Sequence, residues 1–309
     1  MAEVGPDPVK PIVAYGCILL WVVISSATVM LNKWVLDPRL GGFPYPLTLT
    51  ATHMAFCAAA AGALAAAGLV KRPPPVEARS FLATIAPIGA LFALSLWLGN
   101  TAYIYLSVSL VQMIKSTMPL AVYAVGCLFG VEAASWAMLA NLGVVVAGVV
   151  VATAGEVHFA ALGVALQVGS IASEAVRLSL VQMLLQGSDI KLTPLSTMYY
   201  VSPVTLACLL PPLLLFEAPK LAASPAAWGR VGPGLLLGSA GLAFCLNLSA
   251  LLLIGHTSAL TLPLSGVLKD WLLIGLSVGL YGSSVRPMQL AGYGLSLAGV
   301  VTAYVVYSM

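Results

Sequence analysis

Charge is the scarcest property of this chain: Asp, Glu, Lys and Arg make up 7% of its 309 residues, where a soluble domain carries about a quarter. With 61% hydrophobic residues and a mean hydropathy of +1.03, a water-soluble enzyme is excluded. Basic blocks are absent too, because the 13 Lys and Arg are scattered, which excludes nucleic acid as a partner. The five cysteines, Cys17, Cys57, Cys127, Cys208 and Cys245, form no C-x-x-C pair and lie in apolar runs, so neither a disulfide framework nor a metal site is expected. No P-loop, H-E-x-x-H or G-x-S-x-G pattern occurs, so neither a catalytic apparatus nor a cofactor is expected. The first residues, with Glu3 and Asp7, resemble neither a cleavable signal nor a transit peptide. The first apolar segment is therefore expected to serve as the membrane signal.

What remains is a bilayer protein. One spanning helix needs about 20 apolar residues. Cutting at charged and Pro/Gly-rich breaks yields ten segments, near 11–37, 44–69, 81–105, 107–130, 135–154, 158–186, 193–217, 228–254, 256–279 and 287–308. Long unbroken apolar runs exclude a β-barrel, whose strands alternate. The expected fold is an all-α membrane protein, one transporter domain over 1–309 with ten transmembrane helices. An even number of spans puts both termini on one face, with Lys10, Lys71, Arg72, Arg79 and Lys191 against Arg39, Lys220, Arg230 and Arg286 opposite. That slight excess, together with the family resemblance given below, leads both termini to be expected in the cytosol. Small residues at Gly143 and Ala147, and at Gly294 and Ala298, have the spacing that lets helices approach closely.

Lys115 and Lys269 stand 154 residues apart, in the fourth and ninth segments, so two halves of five spans are expected, about 11–154 and 158–308. An odd number of spans inverts one half relative to the other, a frequent transporter plan with a midplane site between the halves.

Charge inside a span costs at least about 2.5–3.5 kcal/mol per residue, so the few that occur are informative. Lys33, Lys115, Arg177 and Lys269 face Glu174 and Asp270, an excess of two positive charges that a phosphate-bearing anion would neutralise. Lys33 can snorkel to the interface, and Glu174 with Arg177, at i and i+3, can neutralise each other. Lys115 is far from either end of its span, and Asp270 points about 100° away from Lys269; both lysines are expected at a ligand. Asn100, Tyr103, Gln112, Ser116, Thr117, Tyr199, Tyr200 and Asn247 are candidates for the remainder of such a ligand, and His53 is expected as buried polar packing. Pro119, four residues after Lys115, and Pro263 with Gly266 before Lys269 break the helices beside both lysines, as a cavity requires.

LNKWVLD (31–37), the run 88–123 around LSVSLVQMIKSTMP, SEAVRLSLVQMLL (173–185), LTPLSTMYYVSP (192–203) and GHTSALTLPLSGVLKDWLLIGLS (255–277) resemble the nucleotide-sugar and triose-phosphate translocator family of the drug/metabolite transporter superfamily. The Lys-Asp dipeptide at 269–270 is similar to a plant and algal group that includes UDP-arabinofuranose transporters. The resemblance implies a Golgi antiporter that exchanges a nucleotide sugar, a UDP-sugar such as UDP-arabinofuranose, for a nucleoside monophosphate, UMP. It also implies that Lys115 and Lys269 bind substrate and that Lys33 and Arg177 are recurrent basic positions. Ser116-Thr117 and Pro263 depart from the pattern usual in that group. The alternative is a sugar-phosphate/phosphate translocator of the same fold, in the plastid inner envelope. A second alternative is a non-transporting scaffold or receptor, and a homodimer stays open.

Overall fold

The computed structural model describes residues 9–36, 40–106, 111, 114–153, 160–187, 192–224, 226–267, 269, 291–292, 294–299 and 302–303. Among these every regular element is helical. The helices are α1 (Val9–Leu36), α2 (Pro46–Ala66), α3 (Ala78–Ser80, a π-turn at Phe81–Ile85, then Ala86–Tyr105), α4 (Met118–Leu128), α5 (Trp136–Thr153), α6 (Ala161–Gln182, closed by a π-turn at Met183–Gly187), α7 (Pro194–Phe216) and α8 (Ala226–His256), with one short helical turn at Ala218–Ala222 in the link between α7 and α8. Residues 261–267 begin a further helix. Six of these helices are long and apolar enough to cross a bilayer. Much of the ninth and tenth expected spans lies outside the described residues.

Apolar side chains surround most helices rather than one stripe, as lipid contact requires. The core is where the helices meet: α3 against α6 and α7, α2 against α7 and α8, and α1 against α8, around Ile88, Leu142, Leu178, Leu209, Leu253 and Leu260. Pro203, Pro211 and Pro212 sit inside α7, tolerated because neighbouring helices cover the freed backbone. α8 is kinked at Gly232, which takes a positive φ of 67° just before Pro233, a backbone open mainly to glycine.

The close helix approach is not where the spacing placed it. Gly143 and Gly294 have no neighbour within 4 Å of an added Cβ. A Cβ at Gly148 would lie 2.6 Å from the Gly292 carbonyl, and one at Gly299 2.8 Å from Val145. Ser296 Oγ donates to the Val145 carbonyl at 3.1 Å. The contact between α5 and the last span thus uses the adjacent register. Small-residue spacing marks a helix that can approach another closely, while the partner and the face are fixed by the rest of the bundle.

Two sets of connections define the faces of the bundle. On one, the α1–α2 loop meets the α7–α8 link: Phe43 packs on Trp228 with centroids 5.3 Å apart, and buried Glu217 reaches α2. Its Oε1 accepts from Leu47 N at 2.9 Å and its Oε2 from Thr48 N at 2.7 Å and Thr48 Oγ1 at 2.8 Å. The α2 N-cap residue, Tyr45, offers no side-chain bond, so a carboxylate from far along the chain satisfies the orphan amides and complements the helix dipole. On the other face Tyr200 donates to the Pro74 carbonyl at 2.7 Å, and the end of α6 meets the α8 terminus. Glu217→Ala leaves three donors unsatisfied in an apolar setting; it should destabilise the purified protein by about 3 kcal/mol, read as a lower unfolding temperature in detergent, and Glu217→Gln by less.

Candidate functional site

Three helices bring side chains to one level at their midpoints: Trp21 of α1, Phe92 of α3 and Glu174 of α6. Around them lies a cavity of about 340 Å³. It is lined by Lys115, helical and directly before the turn at 116–117, by Ser116 of that turn, by Lys269, Pro263 and Gly266 from the helix that begins at 261, and by Ser95, Asn100 and Ser170. The expected helix break is present: residues 116–117 form a turn, Thr117 Oγ1 donates to the Ile114 carbonyl at 2.7 Å, and Pro119 occupies the first turn of α4. The helix ends at Lys115, directly before that break, and the residue lines the cavity wall.

The acidic and basic groups of α6 settle each other. Arg177 Nη2 and Nε donate to the Glu174 carboxylate at 2.5 and 2.8 Å. The guanidinium also lies over the Phe92 ring, 4.4 Å from its centroid, a cation–π contact. Lys269 Nζ stands 5.7 Å from the centroid of the Trp21 ring. Among the described residues, Lys115, Lys269, Glu174 and Arg177 together carry a formal charge of +2, and the rest of the described cavity wall is neutral hydroxyl, amide and apolar surface.

Arg177 and Asn247 line a second, smaller cavity of about 50 Å³, together with Val181, Thr197, Ser202 and Ile254. Phe92 borders both spaces, so the ring and the ion pair beside it form the partition. Of the sequence candidates, Lys115, Lys269, Asn100 and Ser116 therefore share the main cavity, while Arg177 and Asn247 stand beyond the partition. Tyr199 and Tyr200 line neither; their rings pack on each other, 5.0 Å apart, near the α2–α3 loop. His53 is buried against Ser239, 3.2 Å away, a packing role as expected. Gln112 and Asp270 lie outside the described residues, as do the side chains of Lys33 and Tyr103. Trp21, Phe92, Ser95 and Ser170 were not singled out by sequence; a mid-span tryptophan, away from either interfacial belt, is the signal that could have marked the first.

Residues 12–305 match the Triose-phosphate Transporter family. The chain belongs to that family. Relatives from Arabidopsis thaliana, each named "Probable sugar phosphate/phosphate translocator", are 40% identical over 289 residues, 94% of this chain and 82% of theirs; 36% identical over 291 residues, 94% and 77%; and 33% identical over 301 residues, 96% and 82%. A solved crystal structure of a protein superposes over 97% of both chains with a TM-score of 0.60 at 17% identity, a likeness of fold. The chain is thus a multi-pass membrane protein of a transporter family. None of these relatives carries a nucleotide-sugar name, so the expected UDP-arabinofuranose group receives no support from them.

If the two lysines hold phosphate oxygens, Lys115→Met and Lys269→Met each remove one charge-assisted contact from a partly desolvated site. Either should weaken binding of a phosphate ester about 100-fold, measured by ligand titration of the purified carrier, with its elution profile unchanged.

Proposed function

We propose that this chain exchanges sugar phosphates for inorganic phosphate by alternating access around the cavity that Lys115 and Lys269 line. The observation that carries the reading is the convergence of those two ammonium groups, from distant parts of the sequence, on one space at the midpoint of the bundle. A phosphate monoester dianion matches their charge, and Asn100, Ser95, Ser116 and Ser170 offer hydrogen bonds to sugar hydroxyls. The names of the relatives support the same substrate class over the nucleotide-sugar expectation.

The reading includes ten spans in two inverted halves. Its support is the pairing of contacts. Exchanging the first half for the second turns α1–α8 into α6–α3 and α2–α8 into α7–α3, while α2–α7 maps onto itself, and all five packings occur. α5 against the last span is another self-paired contact.

Coupling follows from charge. The excess of two positive charges among the described residues is costly to carry empty through a low-dielectric bundle, and a bound dianion offsets it. Exchange is therefore favoured over net movement. Either expected membrane, Golgi or plastid inner envelope, suits such an exchanger.

Proteoliposomes preloaded with phosphate should take up labelled phosphate and sugar phosphates at least tenfold faster than empty vesicles. UMP-preloaded vesicles should not drive uptake. Uptake of UDP-sugar against internal UMP, without phosphate exchange, would return the assignment to nucleotide sugars.

A further inference from the structure

In a carrier the change of access is the reaction itself, so residues that hold one end shut are parts of its machinery. At the end of α6, Gln182 Oε1 accepts from Ala259 N at 2.7 Å. One turn on, Gln186 Nε2 donates to the Ile254 carbonyl at 2.7 Å and the Thr257 carbonyl at 2.8 Å. Two amides of α6 thereby clasp the C-terminus of α8 and the turn that follows it, using helix-terminal carbonyls that lack intrahelical partners. Directly behind the clasp lies the smaller cavity: Val181 precedes Gln182, Ile254 accepts from Gln186, and Ser202 lines the same space. Beyond it come Arg177 and Phe92, then the main cavity.

The opposite end differs. α1 ends on the Glu217 face, where α3 also ends and α6 begins, and the main cavity reaches that way through Val29, Asn100 and Ser170. Three buried amide atoms there lack partners. Asn32 Oδ1, near the end of α1, has no hydrogen-bond partner, and fully buried Gln167, near the start of α6, has none on either side-chain atom. Buried amides nearly always find partners, and leaving one unpaired is costly. These groups are poorly served by the conformation seen. Packing shows the same asymmetry: α6 and its π-turn touch α8, while α1 and α3 make no comparable contact among the described residues. In the inverted-repeat reading, α1–α3 is the image of α6–α8, and Asn32 stands where the clasp amides stand.

We propose that Gln182 and Gln186 form one gate of the carrier and that Asn32 is the amide of the other, satisfied by the α3 terminus only when that end closes. The proposal rests on the carrier reading, but its test needs no substrate. Ser202→Cys places a thiol behind the clasp, and its labelling by a membrane-impermeant maleimide reports how often that end opens; the parent chain supplies the background of the native cysteines. Removing the clasp with Gln182→Leu and Gln186→Leu should speed labelling about 100-fold, the shift expected from losing its three hydrogen bonds. Gln186→Ala alone, at an exposed position, should give a smaller rise and covers the case in which the double variant does not fold. Asn32→Leu should change the rate in the other direction, because it weakens the state in which Ser202→Cys is reached. Unchanged labelling after loss of Gln186 overturns the clasp as a gate. A rate unaltered or raised by Asn32→Leu overturns its counterpart. Loss of phosphate exchange in the parent would instead strike the substrate assignment and leave these labelling results standing.

Discussion

An ammonium group at the centre of a bilayer is tolerated only where water, a counter-charge or a polarizable surface meets it, and much of this structure answers that requirement for Lys115 and Lys269. The chain breaks before α4, so Lys115 meets a cavity and not lipid. Trp21 presents its ring beneath Lys269. Glu174 binds Arg177, so that pair adds little net charge to the field around the two lysines. The proposed cargo follows from this balance, because a dianion removes the cost that the lysines impose.

The same demand for satisfied polar groups shapes both ends of the bundle. Glu217 caps α2 where no local residue does so, and that junction ties the α1–α2 loop to the α7–α8 link. At the other face the amides of Gln182 and Gln186 complete the terminus of α8. These are not equivalent devices. A buried carboxylate with three donors is a permanent joint, whereas neutral amide bonds of about 1 kcal/mol each can break and reform within a transport cycle.

Hydropathy made the helical class legible, and with it the six described helices long enough to cross a bilayer, since apolar runs of membrane length leave little alternative. The central lysines were legible because charge is so scarce that its exceptions stand out, and Glu174 with Arg177 because i, i+3 spacing puts them on one face. Tertiary features were not. Glu217 reads as a loop acid until the fold brings it to Thr48, and Trp21, Ser95 and Ser170 read as ordinary members of apolar helices. Gly143 and Gly294 suggested close packing of their helices without naming the partner, and the observed approach uses Gly148, Ser296 and Gly299. The substrate expectation leaned on one dipeptide at 269–270, whereas similarity along nearly the whole chain favours phosphate esters.

The charge of the cargo gives the most direct test of the account. A sugar monophosphate becomes a dianion as pH passes its second pKa, about 6, whereas a UDP-sugar has no ionisation in that range. The decisive measurement is the affinity of the purified carrier for a sugar monophosphate between pH 5 and pH 7.5. A site built for a dianion predicts a Kd that falls about tenfold across that interval, following the dianion fraction, and then levels. A Kd that stays flat, with a UDP-sugar bound more tightly than the monophosphate throughout, would contradict a site matched to the phosphate dianion.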